Sequence, residues 1–405
     1  MTIIIDCTIS QTKPHSGVGQ YVKNIVSEMV AIQKDGVEFI LLLFEGNTTI
    51  PDHILGSTNV KIHRIAQTPF IGGLSSLLIK LFPYRAIFND LQKSLVKQGS
   101  DLAYFSPYLF NGFPIPSDEL KTYVSVHDFA MPVFNYYSDR GGLMNQFRKI
   151  QYWYHMKRTK HASGIITISR STKADYLRYF PQVDENKISV TYLGVELDER
   201  QDVDIESYLP KDYKQKRYFI YLGGGVQKNK NTIGLMRAYA KFVERCRAER
   251  ITEVPYLVIA GKIFQDNSSS EMNKINREID NLSVRHNIHF TGFYEDDAKY
   301  LLLKNSIAFV HLSLYEGFGI AVAEAMKAGA PVIAHNGTSY PEVIGDTGFL
   351  VDGNDSDEVA DAMFELFSNP GIAEQKVLEA KKRAEQFDWK KTAHQTLQII
   401  TGSQV

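Results

Sequence analysis

The sequence predicts an α/β protein made of two doubly wound domains, each a parallel sheet with helices on both faces. Short apolar, β-branched runs alternate with amphipathic helical patterns, which is typical of parallel sheets. This alternation occurs twice, on either side of a polar, charged stretch at 196–216. A chain of 405 residues is also too long for one core of ordinary size. We therefore predict a first domain at 1–195, a linker at 196–216 and a second domain at 217–386.

The first domain begins with a strand at the N-terminus, and segments of helical periodicity separate its strands. An amphipathic helix at 20–32 follows the first strand and a glycine-containing turn. The predicted strands are 3–5, 39–44, 60–65, 102–105, 123–126, 164–168 and 188–192. Ligands of such sheets bind outside the carboxyl ends of the strands, so the residues after each strand are the first candidates for a site.

The second domain repeats this pattern, and its longest helix is predicted at 231–245. Its predicted strands are 218–222, 256–260, 288–291, 307–310 and 331–334. Two such domains that face each other would enclose a deep cleft. The last segment, 387–405, has a helical pattern and is expected to pack back across either domain.

Composition and charge exclude several classes of protein. With 44% hydrophobic residues, 22% charged residues and a net charge of −1, the chain is globular and has no global basic field for nucleic acid. Cys7 and Cys246 form neither a disulfide framework nor a zinc motif, which fits a reducing, cytoplasmic setting. The first apolar run is too short for a signal peptide, and no stretch of about 20 apolar residues could span a bilayer.

The most informative segment combines two carboxylates with a pair of glycines. Glu316 and Glu324 lie eight residues apart, and Gly317 and Gly319 lie between them at a predicted strand-to-helix turn. The first N–H groups of a helix lack partners within it and carry a partial positive charge. Such a turn therefore favours a phosphate group, with the two carboxylates close by.

A second glycine-rich turn, with cations beside it, follows the first strand of the second domain. Gly224 belongs to the run 223–225, and Lys228 and Lys230 lead into the next helix. Lysines at this position could stabilise the negative charge of a departing diphosphate. Alternatively, they are solvated residues at the start of a helix.

Two further candidates lie in the first domain. Gly17 and Gly19 precede its first helix, but Val22 stands where a dinucleotide fingerprint has its third glycine, which argues against an NAD site. The turn either lets a diphosphate or an acceptor approach the backbone or serves tight geometry alone. His127-Asp128 ends the strand at 123–126, where catalytic groups of α/β sheets lie, although such a pair can also be structural.

Metal and membrane sites are weaker hypotheses. The acidic pairs at 202–204 and 355–357 do not directly end apolar strands, and the second resembles a helix cap, so we expect no metal. The apolar stretch 69–81, with Lys80 and Arg85, is either a core face or a membrane-surface helix. A basic and aromatic segment at 148–160 either binds acceptor phosphate or lipid headgroups, or is a charged helix face with buried aromatics.

These motifs together resemble the retaining glycosyltransferases of family 4, which have the GT-B fold. The resemblance rests on the run 316–324, on His127-Asp128 and on the later run 339–345, with weaker matches along most of the chain. It implies that the first domain binds the acceptor and the second the nucleotide-sugar. Gly225 stands where the family often has an arginine, which leaves Lys228 or Lys230 to supply the positive charge.

The resemblance also implies roles for individual residues and needs no metal or cofactor. Glu324 would contact the ribose, and Glu316 with the backbone of Gly317, Phe318 and Gly319 would engage the donor sugar and diphosphate. Lys230 would stabilise the leaving diphosphate, and His127 would contact the transferred sugar. Retention suits a front-face displacement assisted by that fixed charge, while Glu316 as a covalent nucleophile is the alternative.

Among family members, the chain resembles bacterial mannosyltransferases of polysaccharide assembly. This implies a GDP-mannose donor, a lipid-linked saccharide acceptor, and a cytoplasmic enzyme with peripheral contact to the membrane. Another donor, such as a UDP-sugar or dTDP-rhamnose, stays open. So do a nucleotide-sugar epimerase and a non-catalytic scaffold that binds sugar nucleotides.

Overall fold

The computed structural model describes residues 1–14, 16–65, 101–109, 113–134, 143–223, 228–265 and 269–402. They form two compact units. Unit 1 comprises Met1–Gly194 together with Asp388–Val405, and unit 2 comprises Val195–Phe387. Each unit is built on a parallel sheet, as the sequence predicts.

Unit 1 contains a sheet of seven strands in the order β3-β2-β1-β4-β5-β6-β7, and every pairing in it is parallel. Its central strands are buried along their length because helices cover both faces. The order reverses between β1 and β4, so the loops after these two strands meet at the switch point of the sheet. The strands are β1 Thr2–Asp6, β2 Glu38–Phe44, β3 Val60–Ile65, β4 Leu102–Ser106, β5 Leu120–Val126, β6 Gly164–Thr167 and β7 Ile188–Val190.

Helices of unit 1 include one from the end of the chain. Helix α15 (Trp389–Thr401) packs against α2 (Gly17–Ala31), and its Trp389 lies so close to Gly194 that a β-carbon on this glycine would be 2.4 Å from the indole. The segment from Asp388 onward therefore belongs to the same compact unit as the N-terminal part of the chain. The helices described in this unit are α1 Thr8–Thr12, α2 Gly17–Ala31, α3 Asp52–Leu55, α4 Ala130–Val133, α5 Leu143–Thr159, α6 Arg170–Tyr179 and α15 Trp389–Thr401.

Unit 2 contains a parallel sheet of six strands in the order β10-β9-β8-β11-β12-β13. This is the 3-2-1-4-5-6 order of a dinucleotide-binding fold, and its switch point lies between β8 and β11. The loops after β8 and β11 therefore lie side by side. The strands are β8 Tyr218–Leu222, β9 Tyr256–Ala260, β10 Ile288–Gly292, β11 Phe309–His311, β12 Val332–His335 and β13 Phe349–Val351.

The core of unit 2 lies between this sheet and its helices, with α8 packed against α13 and α11 against α14. The stretch 196–216, expected as a linker, lies within unit 2, where the Tyr208 carbonyl accepts a hydrogen bond from the Thr291 hydroxyl at 2.7 Å. The helices of the unit are α7 Tyr213–Lys216, α8 Thr232–Ala248, α9 Ser270–Asn281, α10 Ala298–Lys304, α11 Ile320–Ala328, α12 Tyr340–Ile344, α13 Ser356–Ser368 and α14 Pro370–Ala384.

Candidate active site

Asn229 connects the two loops at the switch point of unit 2. Its side chain is buried and donates to the Tyr315 carbonyl at 3.2 Å, while its own carbonyl accepts from the Leu314 amide at 2.6 Å and from the Ser313 hydroxyl at 3.0 Å. Asn229 lies in the turn after β8, and the other three residues follow β11. These bonds fix the turn at 228–230 against the segment that leads to Glu316.

The connection places Lys230 beside Glu316. The ammonium Nζ lies 2.6 Å from Glu316 Oε1, and the two side chains are only 25% and 20% exposed. Burial by itself raises the pKa of Glu316, but attraction to Lys230 and hydrogen bonding outweigh burial and lower the pKa below its usual range. The carboxylate is therefore ionised at neutral pH, and the pair forms a fixed, partly buried dipole at the strand ends.

The loop after β12 supports Glu316 from its backbone. The Ser339 hydroxyl donates to the Glu316 carbonyl at 3.0 Å, and the Glu316 amide donates to the Thr338 hydroxyl at 3.3 Å. Thr338 adopts a φ of +51°, a left-handed conformation that costs a threonine energy. The segment is thus held by contacts from the loops that follow β8 and β12.

Gly319 is the residue immediately before helix α11, and two constraints require glycine at this position. Its φ is +86°, and a β-carbon there would lie 2.6 Å from the ring of Tyr340. Any larger residue would strain the backbone and displace that ring. Helix α11 begins at Ile320, so its N-terminal amides and their partial positive charge lie within a few residues of Glu316 along the chain.

The side chain of Phe318 belongs to the core of unit 2. It is 2% exposed and meets Phe387 edge to face at 5.2 Å between ring centroids. Only the backbone of this residue is therefore suited to contact a donor. The aromatic pair anchors the loop immediately before α11.

His311, at the end of β11, is a buried residue that sequence reasoning did not select. Its ring stacks on the rings of Tyr221 and Phe309, and its Nδ1 bonds the hydroxyl of Tyr340. Burial lowers the pKa of His311 to about 4, although Glu316 opposes that shift. A neutral imidazole therefore interacts electrostatically with both Lys230 and Glu316.

Glu324, on α11, pairs with Lys299, a residue that belongs to no motif of the sequence. Lys299 Nζ on α10 lies 3.0 Å from Glu324 Oε1, and the side chains are 17% and 16% exposed. Burial raises the pKa of Glu324, and Lys299 only partly offsets that effect. No spacing rule links residues 299 and 324, so only the packing of α10 on α11 brings them together.

The glycine-rich turn after β8 contains two further predicted site residues, Gly224 and Lys228. Lys228 is described and exposed, whereas Gly224 lies outside the described residues. Gly223 and Gly261 approach each other closely where β8 and β9 end. A β-carbon on Gly261 would lie only 1.9 Å from the Gly223 carbonyl oxygen. Asn231 then donates to the Gly353 carbonyl at 2.7 Å, which ties the start of α8 to the loop before α13.

The glycines of the first turn in unit 1 differ from each other. The Ser16 hydroxyl caps α2 by accepting from the Gly19 amide at 3.1 Å, and a β-carbon on Gly19 would lie 2.1 Å from the Lys13 carbonyl oxygen. Gly17 has nothing within 4 Å of the corresponding position. Gly19 thus serves tight geometry, while Gly17 leaves an open approach to the first turn of the helix.

His127 lies at the end of β5 and turns toward the switch point of unit 1. Its Nε2 lies 2.8 Å from the carbonyl oxygen of Pro107, the residue after β4, and its ring meets Tyr21 edge to face at 4.7 Å. A carbonyl only accepts, so Nε2 donates the proton and Nδ1 is the acceptor of the neutral ring. Burial lowers the pKa of His127, which keeps the ring neutral. Asp128 Oδ1 accepts from the Ala130 amide at 2.9 Å.

No metal site is formed within the described ranges, which contain no group of three or more His, Cys, Asp or Glu residues placed to hold an ion. Asp355 caps α13 through the amides of Asp357 and Glu358, and Asp204 accepts from the Glu206 amide. Both acidic pairs are thus accounted for by local structure.

The two membrane hypotheses have different outcomes. The stretch 69–81, with Lys80 and Arg85, lies outside the described residues. On α5, Arg158 lies over the Phe113 ring at 5.3 Å and donates to the Phe113 carbonyl, so it has a structural role. Of the helices that the structure describes, none is both long enough and apolar enough to cross a bilayer.

Comparison with known proteins identifies the family. Residues 15–199 match the model described as Glycosyltransferase Family 4, and residues 207–386 match Glycosyl transferases group 1. Together they extend over both units. The chain is a glycosyltransferase of family 4. Its similarity to the O-antigen chain mannosyltransferase B of Escherichia coli is 24% identity over 95% of each chain.

Other relatives of this glycosyltransferase are similar over shorter lengths. The serotype-specific mannosyltransferase WbdA of Escherichia coli is 26% identical over 71% of this chain and 34% of its own. An α-(1→4)-mannosyltransferase of Mycolicibacterium hassiacum is 26% identical over 58% of this chain and 53% of its own.

Solved structures share the GT-B fold of this glycosyltransferase. Sucrose-phosphate synthase from Thermosynechococcus elongatus has a TM-score of 0.69 at 18% identity, over 99% of this chain and 98% of its own. HepE from Anabaena, solved with UDP and glucose, has a TM-score of 0.65 at 16% identity over the full length of both chains.

Of the site residues that the sequence predicts for unit 2, Lys230 and Glu316 form an ion pair at the switch point. Gly319 is the residue before α11, and Glu324 lies within that helix. His127, Gly17 and Gly19 lie in unit 1. The supporting residues Asn229, His311 and Lys299 were missed. The place of Asn229 between two predicted lysines was the one signal available.

Proposed function

We propose that this glycosyltransferase transfers a mannosyl group from GDP-mannose to a lipid-linked oligosaccharide or polysaccharide, with retention of anomeric configuration. The main support for the transfer reaction is the ion pair between Lys230 Nζ and Glu316 Oε1, which are 2.6 Å apart. Glu316 lies shortly before the N-terminus of α11 along the chain. The sugar and the acceptor are suggested by the names of the relatives, above all the O-antigen chain mannosyltransferase B.

The diphosphate of the donor would occupy the N-terminal end of α11. The first amides of this helix offer hydrogen-bond donors and a partial positive charge, and Lys230 supplies a full charge beside them. Lys228, exposed on the same turn, is the second candidate cation. Charges fixed before the reaction stabilise a departing diphosphate without the cost of reorganising solvent.

The transfer itself would be a front-face displacement. The acceptor hydroxyl oxygen forms the new bond to the anomeric carbon while the bond from that carbon to the phosphate oxygen breaks. The electron pair of the broken bond goes to the diphosphate, which also takes the proton of the acceptor hydroxyl. In this reaction Glu316 holds the donor sugar and Lys230, and no covalent intermediate forms.

Glu324 and His127 would complete the contacts to the donor. We propose that the Glu324 carboxylate accepts from the hydroxyls of the nucleotide ribose. His127, whose Nε2 is taken by the Pro107 carbonyl, would offer a neutral Nδ1 as an acceptor to a hydroxyl of the transferred sugar. Unit 1 would bind the acceptor and unit 2 the donor. A lipid-linked acceptor would place the enzyme in peripheral contact with the cytoplasmic face of a membrane.

The test is radiolabelled transfer from separate GDP-mannose, UDP-glucose, UDP-GlcNAc and dTDP-rhamnose donors to a lipid-linked saccharide extract. We expect label in the lipid fraction with GDP-mannose, and an α-linkage by NMR. Thermal-shift measurements with GDP, UDP, ADP and dTDP provide an independent readout, because a true ligand stabilises the folded state by mass action.

Each other outcome points to a different function. Transfer with a UDP-sugar or dTDP-rhamnose alone would overturn the donor proposal and keep the transferase. Interconversion of the free sugar nucleotide without acceptor would indicate an epimerase. Nucleotide binding without turnover on any donor would indicate a non-catalytic scaffold.

A further inference from the structure

Lys299 pairs with Glu324 although neither the motif nor the family resemblance assigns it a role. Its ammonium Nζ lies 3.0 Å from Glu324 Oε1, and both side chains are more than four-fifths buried. We propose that Lys299 is a positioning residue that keeps Glu324 ionised and aimed at the ribose of the donor. This inference rests on the proposed contact between Glu324 and the ribose.

Burying the Glu324 carboxylate costs free energy. An isolated ionised carboxylate away from water is strongly disfavoured, and such a group protonates unless a cation compensates. Burial raises the pKa of Glu324 even with Lys299 beside it. Removing the ammonium would raise the pKa further. Glu324 would then keep its proton up to a higher pH.

The protonation state matters because of what a ribose offers. The two ribose hydroxyls are best bound by an acceptor, and an ionised carboxylate has about four acceptor sites. Lys299 uses one of them, on Oε1. The remaining sites can accept from hydroxyls with the added strength of a charged acceptor. A protonated carboxyl has fewer acceptor sites and forms weaker bonds.

In the part of the chain that the structure describes, the other charged groups near Glu324 and Lys299 do not compensate the charge of the Glu324 carboxylate. Asp296 Oδ1 lies 3.6 Å from Lys299 Nζ, and the hydroxyl of Tyr294 interacts electrostatically with both Lys299 and Glu324. On α11 itself, Lys327 donates to the Val195 carbonyl at 2.9 Å, and Lys381 from α14 lies against Gly329 at the far end. Among the residues that the structure describes, Lys299 is the cation that meets Glu324.

The position of Lys299 follows from two loops at the sheet edge. Helix α10 begins shortly after β10, and α11 begins after β11, so the ends of two different strands set the distance within the pair. Asp296, one turn earlier on the chain, attracts the same ammonium from the solvent side. Lys299 is therefore held in place before any donor arrives.

The experiment compares GDP with 2′,3′-dideoxy-GDP in the full-length protein and in Lys299→Met and Lys299→Arg, by calorimetry from about pH 6 to 9. The wild type is expected to bind the ribose form about 10–100-fold more tightly. Lys299→Met is expected to lose most of this preference at pH 7 and regain it as the pH rises. Lys299→Arg is expected to keep it. Lys304→Met, at an exposed lysine on the same helix, is the matched control.

The double variant Lys299→Met, Glu324→Gln separates positioning from folding, because it buries no unpaired charge. It is expected to bind GDP no more weakly than Glu324→Gln alone. Two outcomes would overturn the role of Lys299 while leaving the contact between Glu324 and the ribose in place. One is a full preference for ribose in Lys299→Met, and the other is equal weakening of both nucleotides with no pH dependence. Equal binding of the two nucleotides by the wild type instead removes Glu324 from the ribose, and the proposal fails with it. If GDP does not bind, the same pair of nucleotides is used with uracil as the base.

Discussion

Glu316 and Glu324 show how neighbouring carboxylates on one segment acquire different properties. Both are partly buried and each pairs with one lysine, yet the pKa of Glu316 is lowered and that of Glu324 is raised. Burial opposes ionisation in both, but at Glu316 the attraction of Lys230, together with hydrogen bonding, outweighs burial. At Glu324 the attraction of Lys299 does not outweigh burial, and Asp296 adds repulsion. We expect Glu316 to serve the reacting end of the donor and Glu324 the nucleotide.

Substitution of these carboxylates should separate turnover from binding. Glu316→Gln is expected to lower kcat by about 10²–10³-fold with a smaller loss of nucleotide affinity, because Lys230 loses its fixed partner. Glu324→Gln is expected to weaken nucleotide binding more than it lowers turnover at saturation. Steady-state kinetics and calorimetry measure the two effects. Glu379→Gln, at an exposed site on α14, is the control, and parental activity in Glu316→Gln would exclude Glu316 from the site.

His311 predicts how acid affects stability. Its folded-state pKa of about 4 lies below the ordinary value of 6.5, so the unfolded chain takes up its proton first as the pH falls. The free energy of unfolding should therefore decrease below about pH 6.5, by on the order of 3 kcal/mol for this group near pH 4. His155, also buried with a pKa of about 4, acts in the same direction.

Urea unfolding between about pH 4 and 8 measures this loss. His311→Gln is expected to flatten the acid limb of the curve, even if it lowers stability at neutral pH by disturbing Tyr340. His286→Gln, at an exposed histidine, is expected to keep the parental slope. An unchanged slope in His311→Gln would mean that His311 is not held neutral by burial.

At the scale of elements, glycines lie at the start of α2 and immediately before α11, but the constraints on them differ. Gly319 adopts a left-handed φ and lies against Tyr340. Gly19 has an ordinary φ, and the Lys13 carbonyl leaves no room for a side chain. Gly17, at the first position of α2, meets neither condition. The glycine pattern alone cannot distinguish these cases, because the constraint comes from neighbours in space.

The pair Gly19→Ala and Gly17→Ala tests this difference. Gly19→Ala is expected to lower the free energy of unfolding by about 1–3 kcal/mol, since the loop at Lys13 must move. Gly17→Ala is expected to be neutral or to stabilise by up to about 1 kcal/mol, because alanine is the better helix former. Chemical denaturation monitored by circular dichroism gives both values. Equal losses in the two variants would contradict the close approach at Gly19.

At the scale of the whole molecule, unit 1 is discontinuous along the chain. Helix α15 returns to it, and the Thr392 hydroxyl donates to the Tyr192 carbonyl at 2.6 Å. Trp389, Leu397 and Ile400 are buried there, each with less than a tenth of its surface exposed. The last segment is therefore part of the core of unit 1.

Removal of residues 388–405 should consequently destabilise unit 1 selectively. We expect amides in β1, β5 and α2 to lose hydrogen-exchange protection, while those in β8 and β11 keep it. Mass-spectrometric hydrogen exchange on the truncated and full-length chains measures both units at once. Trp389→Ala should reproduce part of the effect, at a cost of about 3–5 kcal/mol. Equal loss of protection in unit 2 would show that α15 stabilises more than unit 1.

The order of residues along the chain is sufficient to predict the fold class, and it selects Glu316, Glu324 and the glycines between them as candidate site residues. The period of apolar residues predicts strands and helices. The two carboxylates and two glycines of the run 316–324 all lie within nine consecutive residues. Lys230 could also be selected, because it follows a strand end in a parallel sheet. These features are local, so composition and order along the chain are sufficient to reveal them.

The tertiary structure is needed to see which residues support the candidate site. Lys299 and Glu324 are 25 residues apart on different helices, and Asn229 meets the segment after β11 across 86 residues to Tyr315. It also decided that Phe318 is a core side chain and that only Gly19 of its glycine pair is sterically constrained. The physical reason is that burial, pairing of charges and close approach depend on distance in space, which a sequence pattern does not encode.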